Sequence, residues 1–243
     1  MAKTLANIQT NVRMYLDEAQ AADYLDSEVN IAINYAYQDL VGTVMEVKED
    51  YYETLSPFQY ALIANQQEYT IDSSLLKVTR VEINVTPNIS GAQALKAIPI
   101  KMAEMLINIG NTSTVNFLGS EGYYLHGDQV TQKIGFIPIP TISDTGNTKS
   151  ISVWGIQSQS DLVNTTDTVN IPHADRWSYL IALRAASQLL SKGQQDERSG
   201  SKYDQMYTQG VERLKSFLAN RQEDDMEIVQ DSELMNTDFG WPL

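Results

Sequence analysis

Apolar residues near the two ends of the chain recur every three or four positions, whereas those in the middle do not. That contrast limits the fold more than any other feature. Leu5, Ile8, Val12, Tyr15 and Leu16 share one face of a helix over residues 4–19. The polar interval 20–23 breaks it. Asp26 or Ser27 is then placed to cap a second helix, with Glu28 in the first turn where the helix dipole favours an acid. The stripe of that helix is Val29, Ile33, Ala36, Leu40 and Val44, flanked by Ala32 and Tyr37. Helical spacing returns after Ile171-Pro172. From Trp177 to Leu190 the chain is apolar nearly all round, which makes this helix central, and Gly193 stops it. A last helix carries Tyr203, Tyr207, Gly210, Leu214 and Phe217 at alternating spacings of four and three. Ser199-Gly200-Ser201 leaves its start open, since glycine costs ~1 kcal/mol of helix propensity. Short helices are marginal alone in water, so each stripe needs a partner.

The middle of the chain is rich in β-branched and aromatic residues. Tyr51-Tyr52-Glu53-Thr54-Leu55, Glu68-Tyr69-Thr70-Ile71 and residues 77–85, 122–125, 134–140 and 151–154 read as strands. Val81, Ile83 and Val85 alternate with Arg80, Glu82 and Asn84, a strand with one wet face; Val78 is out of phase, as at a β-bulge. Pro138 and Pro140 belong at an edge or a strand end. Ile98, Met102, Met105, Leu106 and Ile109 return briefly to helical spacing, closed by Gly110. The expected fold class is α+β. An antiparallel helical bundle comes from the N- and C-terminal helix pairs (residues 1–46 and 171–221), with an inserted antiparallel β-sandwich or barrel-like module (47–170). An extended acidic C-terminal arm (222–243) follows.

Charge narrows the partners. The 243 residues hold 17 Lys+Arg and 31 Asp+Glu, a formal charge of −14. The basic residues are scattered, so tight binding to DNA phosphates or to anionic membranes is not expected. A surface that DNA passes without sticking is compatible with the acid excess. Cysteine is absent, which removes disulfides, thiolate metal sites and cysteine nucleophiles. No apolar stretch approaches membrane length and no signal-peptide core follows Met1, so the expectation is a soluble protein made in a reducing compartment.

Catalytic patterns are not found. His126 precedes a Gly-Asp turn and His173 stands at a helix start, too far apart for a zinc-ligand spacing. Gly119-Ser120-Glu121-Gly122 lacks the spacing of a hydrolase elbow. No phosphate-cradling glycine motif is present. The reading is a non-enzyme with no catalytic residues, no cofactor and no metal. The residues after Gln222 are different: seven acids follow with no base, and the chain closes with Phe239, Trp241, Pro242 and Leu243. Phe and Trp are efficient interface anchors, so these four are the candidate residues of an arm that binds a neighbouring subunit. A second reading gives the β module a binding role, with Tyr51, Tyr52, Tyr123 and Tyr124 stacking on carbohydrate or contacting a tail fibre, against the plainer reading of all four as core.

Several segments taken in order resemble a known family. They are Ile8-Gln-Thr-Asn-Val-Arg-Met-Tyr-Leu-Asp17, Tyr24-Leu-Asp-Ser-Glu-Val-Asn-Ile-Ala-Ile-Asn34-Tyr-Ala, Asn65-Gln-Gln-Glu-Tyr-Thr-Ile71, Tyr123-Tyr124-Leu125, Ile137-Pro-Ile-Pro140 and Val169-Asn-Ile-Pro172. Across residues 5–221 the chain resembles the head-to-tail adaptor (connector, tail-accessory or head-completion) proteins of double-stranded DNA bacteriophages. The resemblance implies a structural virion protein at the head-to-tail interface, made in the host bacterial cytoplasm. It implies a ring of identical subunits, commonly twelve, beneath the portal protein and above a tail or nozzle protein. DNA would only pass through its channel, and the C-terminal segment would reach the portal.

Overall fold

The computed structural model describes residues 3–18, 23–83, 93–103, 122–127, 131–140, 143, 151–193 and 197–220. Helix α1 (Leu5–Tyr15) starts at Thr4, whose hydroxyl accepts from the Asn7 N–H at 3.4 Å while the Asn7 side-chain oxygen accepts from the Thr4 N–H at 3.1 Å. This reciprocal cap satisfies two amides that the first helical turn leaves unpaired. The same start is stitched to the segment before the third helix: Leu5 N–H donates to Asp167 O and Val169 N–H to Lys3 O, both at 2.9 Å.

Helix α2 (Asp26–Val47) begins one residue earlier than a cap at Asp26 requires and two earlier than a cap at Ser27 requires. Leu25 occupies the cap position, and Glu28 reaches back to accept its N–H at 3.2 Å, so the acid of the first turn performs the capping. All of Val29, Ala32, Ile33, Ala36, Tyr37, Leu40 and Val44 are buried, as the spacing requires. After α2 the chain makes a 3-10 turn (Glu49–Tyr52) rather than the expected strand. Adjacent side chains of a strand face opposite sides, but here the Tyr51 and Tyr52 rings meet edge to face, 4.9 Å apart. Tyr52 turns inward and its hydroxyl donates to Asn170 O at 3.2 Å.

Among the described residues eight strands follow: β1 (Phe58–Tyr60), β2 (Glu68–Thr70), β3 (Leu75–Ile83), β4 (Gln93–Ala94), β5 (Lys96–Ala97), β6 (Gly122–His126), β7 (Lys133–Ile137) and β8 (Ile151–Gln157). They form two four-stranded sheets, ordered β1-β8-β3-β4 and β2-β7-β6-β5. Among the described residues the sheets do not close into a barrel, and the pairing is not wholly antiparallel, because β5 runs parallel to β6. Register shifts between Leu75 and Lys77 and between Val78 and Arg80 supply the bulge that Val78 called for. Glu82 corrects the wet-face expectation: only 6% exposed, it pairs with Arg80, whose guanidinium lies 4.9 Å over the Trp154 ring. Two residues apart on one strand face, Arg80 covers Glu82. Pro138 and Pro140 follow the end of β7. Of the brief helix expected after Ile98, only residues 100–103 are described, and they are helical; the remainder lies outside the described residues.

Helix α3 (Ala174–Gly193) is preceded by Pro172 and ends at the expected glycine. Helix α4 (Glu197–Ala219) runs straight through Ser199-Gly200-Ser201. The Gly200 carbonyl accepts from the Ser187 hydroxyl of α3 at 2.9 Å. A Cβ at Gly200 would stand 3.1 Å from Ser191 Oγ, so close helix packing offsets the propensity cost. Residues of α1, α2, α3 and α4 form one buried cluster, completed by Tyr52, Ile156, Leu162, Val169 and Ile171. A second cluster joins the two sheets through Tyr69, Val81, Tyr123, Ile134, Phe136, Ile151 and Val153.

Candidate assembly surface

Helix α2 presents three different edges. Its inner edge is the apolar stripe. Along one flank every acid meets a cation from α3 or α4: Glu28 with Lys192 at 3.2 Å, Asp39 with Arg184 at 3.4 Å and Glu46 with Lys215 at 3.2 Å. Asp39 also accepts from the Tyr207 hydroxyl at 2.9 Å, and Arg184 reaches Asp204 at 2.5 Å while lying 5.2 Å over the Tyr207 ring. Burial and the neighbouring Asp39 push the Tyr207 hydroxyl well above its ordinary value. The Leu25 N–H, with Lys192, holds Glu28 below the ordinary carboxylate value. On the opposite flank, Asn34 accepts from the Leu162 N–H at 2.8 Å and donates to its carbonyl at 3.1 Å, and Gln38 donates to Gln159 O at 2.9 Å. Between these flanks, facing outward, are Ile31 (56% exposed), Tyr35 (67% exposed) and Gly42.

A second cluster lies on the sheet β2-β7-β6. His126 Nε2 stands 2.9 Å and Lys133 Nζ 3.4 Å from the Glu68 carboxylate, and the Tyr124 hydroxyl donates to it at 3.3 Å. Tyr124 folds over Gly135, where any side chain would collide with its ring. Burial first, and then the Glu68 charge, push the Tyr124 hydroxyl up to about 12. Burial raises the Glu68 value, but His126 and Lys133 outweigh it and the net shift is downward. This is a cross-strand clamp of paired charges. His173, by contrast, packs its ring edge-on to Phe217 at 5.5 Å, and its carbonyl accepts from the Arg176 and Trp177 N–H groups that open α3. The two histidines are not brought together, and among the described residues no group of three or more His, Asp or Glu could hold a metal ion.

The four tyrosines of the carbohydrate reading are also separated. Tyr52, Tyr123 and Tyr124 are buried, which leaves Tyr51 as their one ring with substantial exposure, at 37%. It borders an open cleft of about 630 Å³ lined by Leu55, Phe58, Gln157, Gln159 and Asn170. A stacking platform is not formed. Phe239, Trp241, Pro242 and Leu243 lie outside the described residues. Ile31 and Tyr35 escaped the sequence reading because α2 already has a complete stripe without them; the available signal was their i, i+4 spacing on the far side.

On α2, then, Glu28, Asp39 and Glu46 have partners within the chain and the outward face between the flanks carries exposed Ile31 and Tyr35. The chain belongs to the SU10 adaptor protein family, whose model matches residues 3–231. That makes it a phage adaptor, a structural component of the virion that associates with other head and tail proteins. No curated protein matches the sequence significantly. Among the described residues no helix is long and apolar enough to cross a membrane.

Proposed function

We propose that the protein forms a ring of identical subunits, commonly twelve in such adaptors, beneath the portal. There it joins the capsid vertex to a tail or nozzle protein and continues the DNA channel. The family match over residues 3–231 carries this reading, and the charge of −14 supports it, since an acidic wall repels DNA and lets it slide. In this reading residues 1–46 and 171–221 form one antiparallel helical bundle and residues 47–170 a β-sandwich inserted in it. The arm 222–243 reaches the portal through Phe239, Trp241, Pro242 and Leu243, each aromatic contributing ~2 kcal/mol when buried.

The test is cosedimentation with portal-bearing, tailless particles. The full chain is expected to pellet with them, and the chain truncated after residue 221 to stay in the supernatant while keeping its helical circular dichroism. Equal attachment of the two would remove the arm from the mechanism. Failure of the full chain to attach would remove the portal.

A further inference from the structure

We propose that the outer face of α2, centred on Ile31, Tyr35 and Gly42, is the contact through which one copy of this chain meets the next. This rests on the ring reading above for the identity of the neighbour. The residues fall at i, i+4 and i+11 on one line of the helix, so they make a single strip.

Gly42 carries the argument furthest. It sits inside a helix of 22 residues, where glycine costs ~1 kcal/mol relative to alanine. Gly200 and Gly210 have an internal reason to lack a side chain, because a Cβ at either would press on α3. At Gly42 an added Cβ meets nothing within 4 Å. Among the described residues no packing requires this glycine, and its turn of helix is open to the close approach of another backbone. Tyr35 and Ile31 on the same strip are 67% and 56% exposed. Aromatic residues are enriched at the core of interfaces, where charge is depleted.

Charge selects the occupant. A basic partner would seek the acids of a chain carrying −14. A second copy bears that same charge and can approach cheaply only where the acids already have partners within the chain. The strip is such a place: Glu28, Asp39 and Glu46 on one side are paired with Lys192, Arg184 and Lys215, and on the other side Gln38 donates to the exposed Asp161 carboxylate at 3.1 Å while Asn34 holds Leu162. Size says how the copies are held. From residue 31 to 42 the strip is about 17 Å long and about 10 Å wide, well short of the roughly 800 Å² per partner of a stable interface. Copies therefore meet only weakly and transiently through it in concentrated solution, and they are held together when a common platform sets them side by side.

The chain has no cysteine, so Ser27→Cys, exposed one turn before Ile31 on α2, introduces a single thiol at the edge of the strip and leaves Gly42 unfilled. Labelled with benzophenone maleimide, this variant is irradiated in concentrated solution and, separately, on portal-bearing particles. The expected product in either sample has twice the chain mass, with the adduct mapped to a second copy. Adding Tyr35→Asp is expected to reduce it about tenfold or more with unchanged circular dichroism and melting temperature. An adduct confined to the labelled chain itself, one to portal protein alone, or none in both samples would overturn the proposal. If the unmodified chain does not bind the particles, the portal reading fails, and the solution sample still decides the contact between copies.

Discussion

The helical and sheet regions bury their cores by different means. In the helices each element contributes a stripe readable within its own sequence, and long-range order enters when α1 and α2 meet α3 and α4. In the sheets the elements are too short to mean much alone: β2 has three residues and β4 two. Their partners are distant, as in Phe58 with Val153 and Tyr69 with Ile134. Long helices can spare an outer face for other chains, whereas a small sheet spends its side chains on its own pairing. Strand β8 links the regions, with Ile151 and Val153 in the sheet core and Ile156 in the helical one.

The largest effect expected is from truncating a core, which tests whether the regions unfold apart. Leu180→Ala should cost about 2–5 kcal/mol, from lost burial plus the cavity left, because Leu180 is wholly buried in the helical cluster. Urea unfolding followed by circular dichroism at the helix band and by Trp154 fluorescence, with Trp177 and Trp241 replaced by Phe so that Trp154 alone emits, separates helices from sheets. The helix signal alone is expected to move, whereas Ile156→Ala should move both. A single coincident shift for Leu180→Ala would show one cooperative unit and abolish the distinction.

Next is the polar latch that ties three helices. Tyr207→Phe removes the donor to Asp39 and should lower stability by about 1–2 kcal/mol. The loss should be confined to the helix transition. An unchanged urea midpoint would mean that solvent serves Asp39 equally well.

How much of this could be read beforehand follows the same division. The α2 stripe, the Val78 bulge and the Gly193 stop were legible because each depends on residues within one or two turns or pleats. Tyr51 and Tyr52 were misread as a strand because β propensity is a weak prior, and Tyr52 is claimed by the helical core through Asn170. Glu82 looked wet because the cover supplied by Arg80 and Trp154 depends on β8, some seventy residues away. Leu25 took the cap from Asp26 because Glu28 satisfies its amide. The parallel β5–β6 pair has no local signature at all. Of the candidate site, chemistry predicted an arm at Phe239 and Trp241, while the face at Ile31 and Tyr35 became visible only once the partners of the two α2 flanks were known.

In the sheets, the Glu68 clamp should be weaker than the latch. Glu68→Gln is expected to cost about 1 kcal/mol, as a partly exposed carboxylate with several partners does. The sign with pH follows from the lowered Glu68 value. Its contribution is complete above the ordinary carboxylate value of 4.5 and is lost as pH falls through the depressed folded value. The stability of Glu68→Gln should therefore fall less between neutral pH and pH ~3 than that of the unmodified chain. Parallel acid profiles would show that the ion pairs contribute nothing to the sheets.

The smallest effect has the opposite sign. Gly42→Ala should stabilise the isolated chain by about 0.5–1 kcal/mol, by helix propensity alone, since the new methyl meets open space. Gly210→Ala is the same chemical change on α4, but its methyl would collide with Leu180, and it should lower the melting temperature. If both raised it, the α3–α4 contact would be looser than the buried Leu180 indicates. If Gly42→Ala raised it while reducing attachment to portal-bearing particles, stability and assembly would be opposed at one position. A helix that keeps a glycine against its own propensity, on the one face it does not bury, is best explained by a neighbour outside the chain.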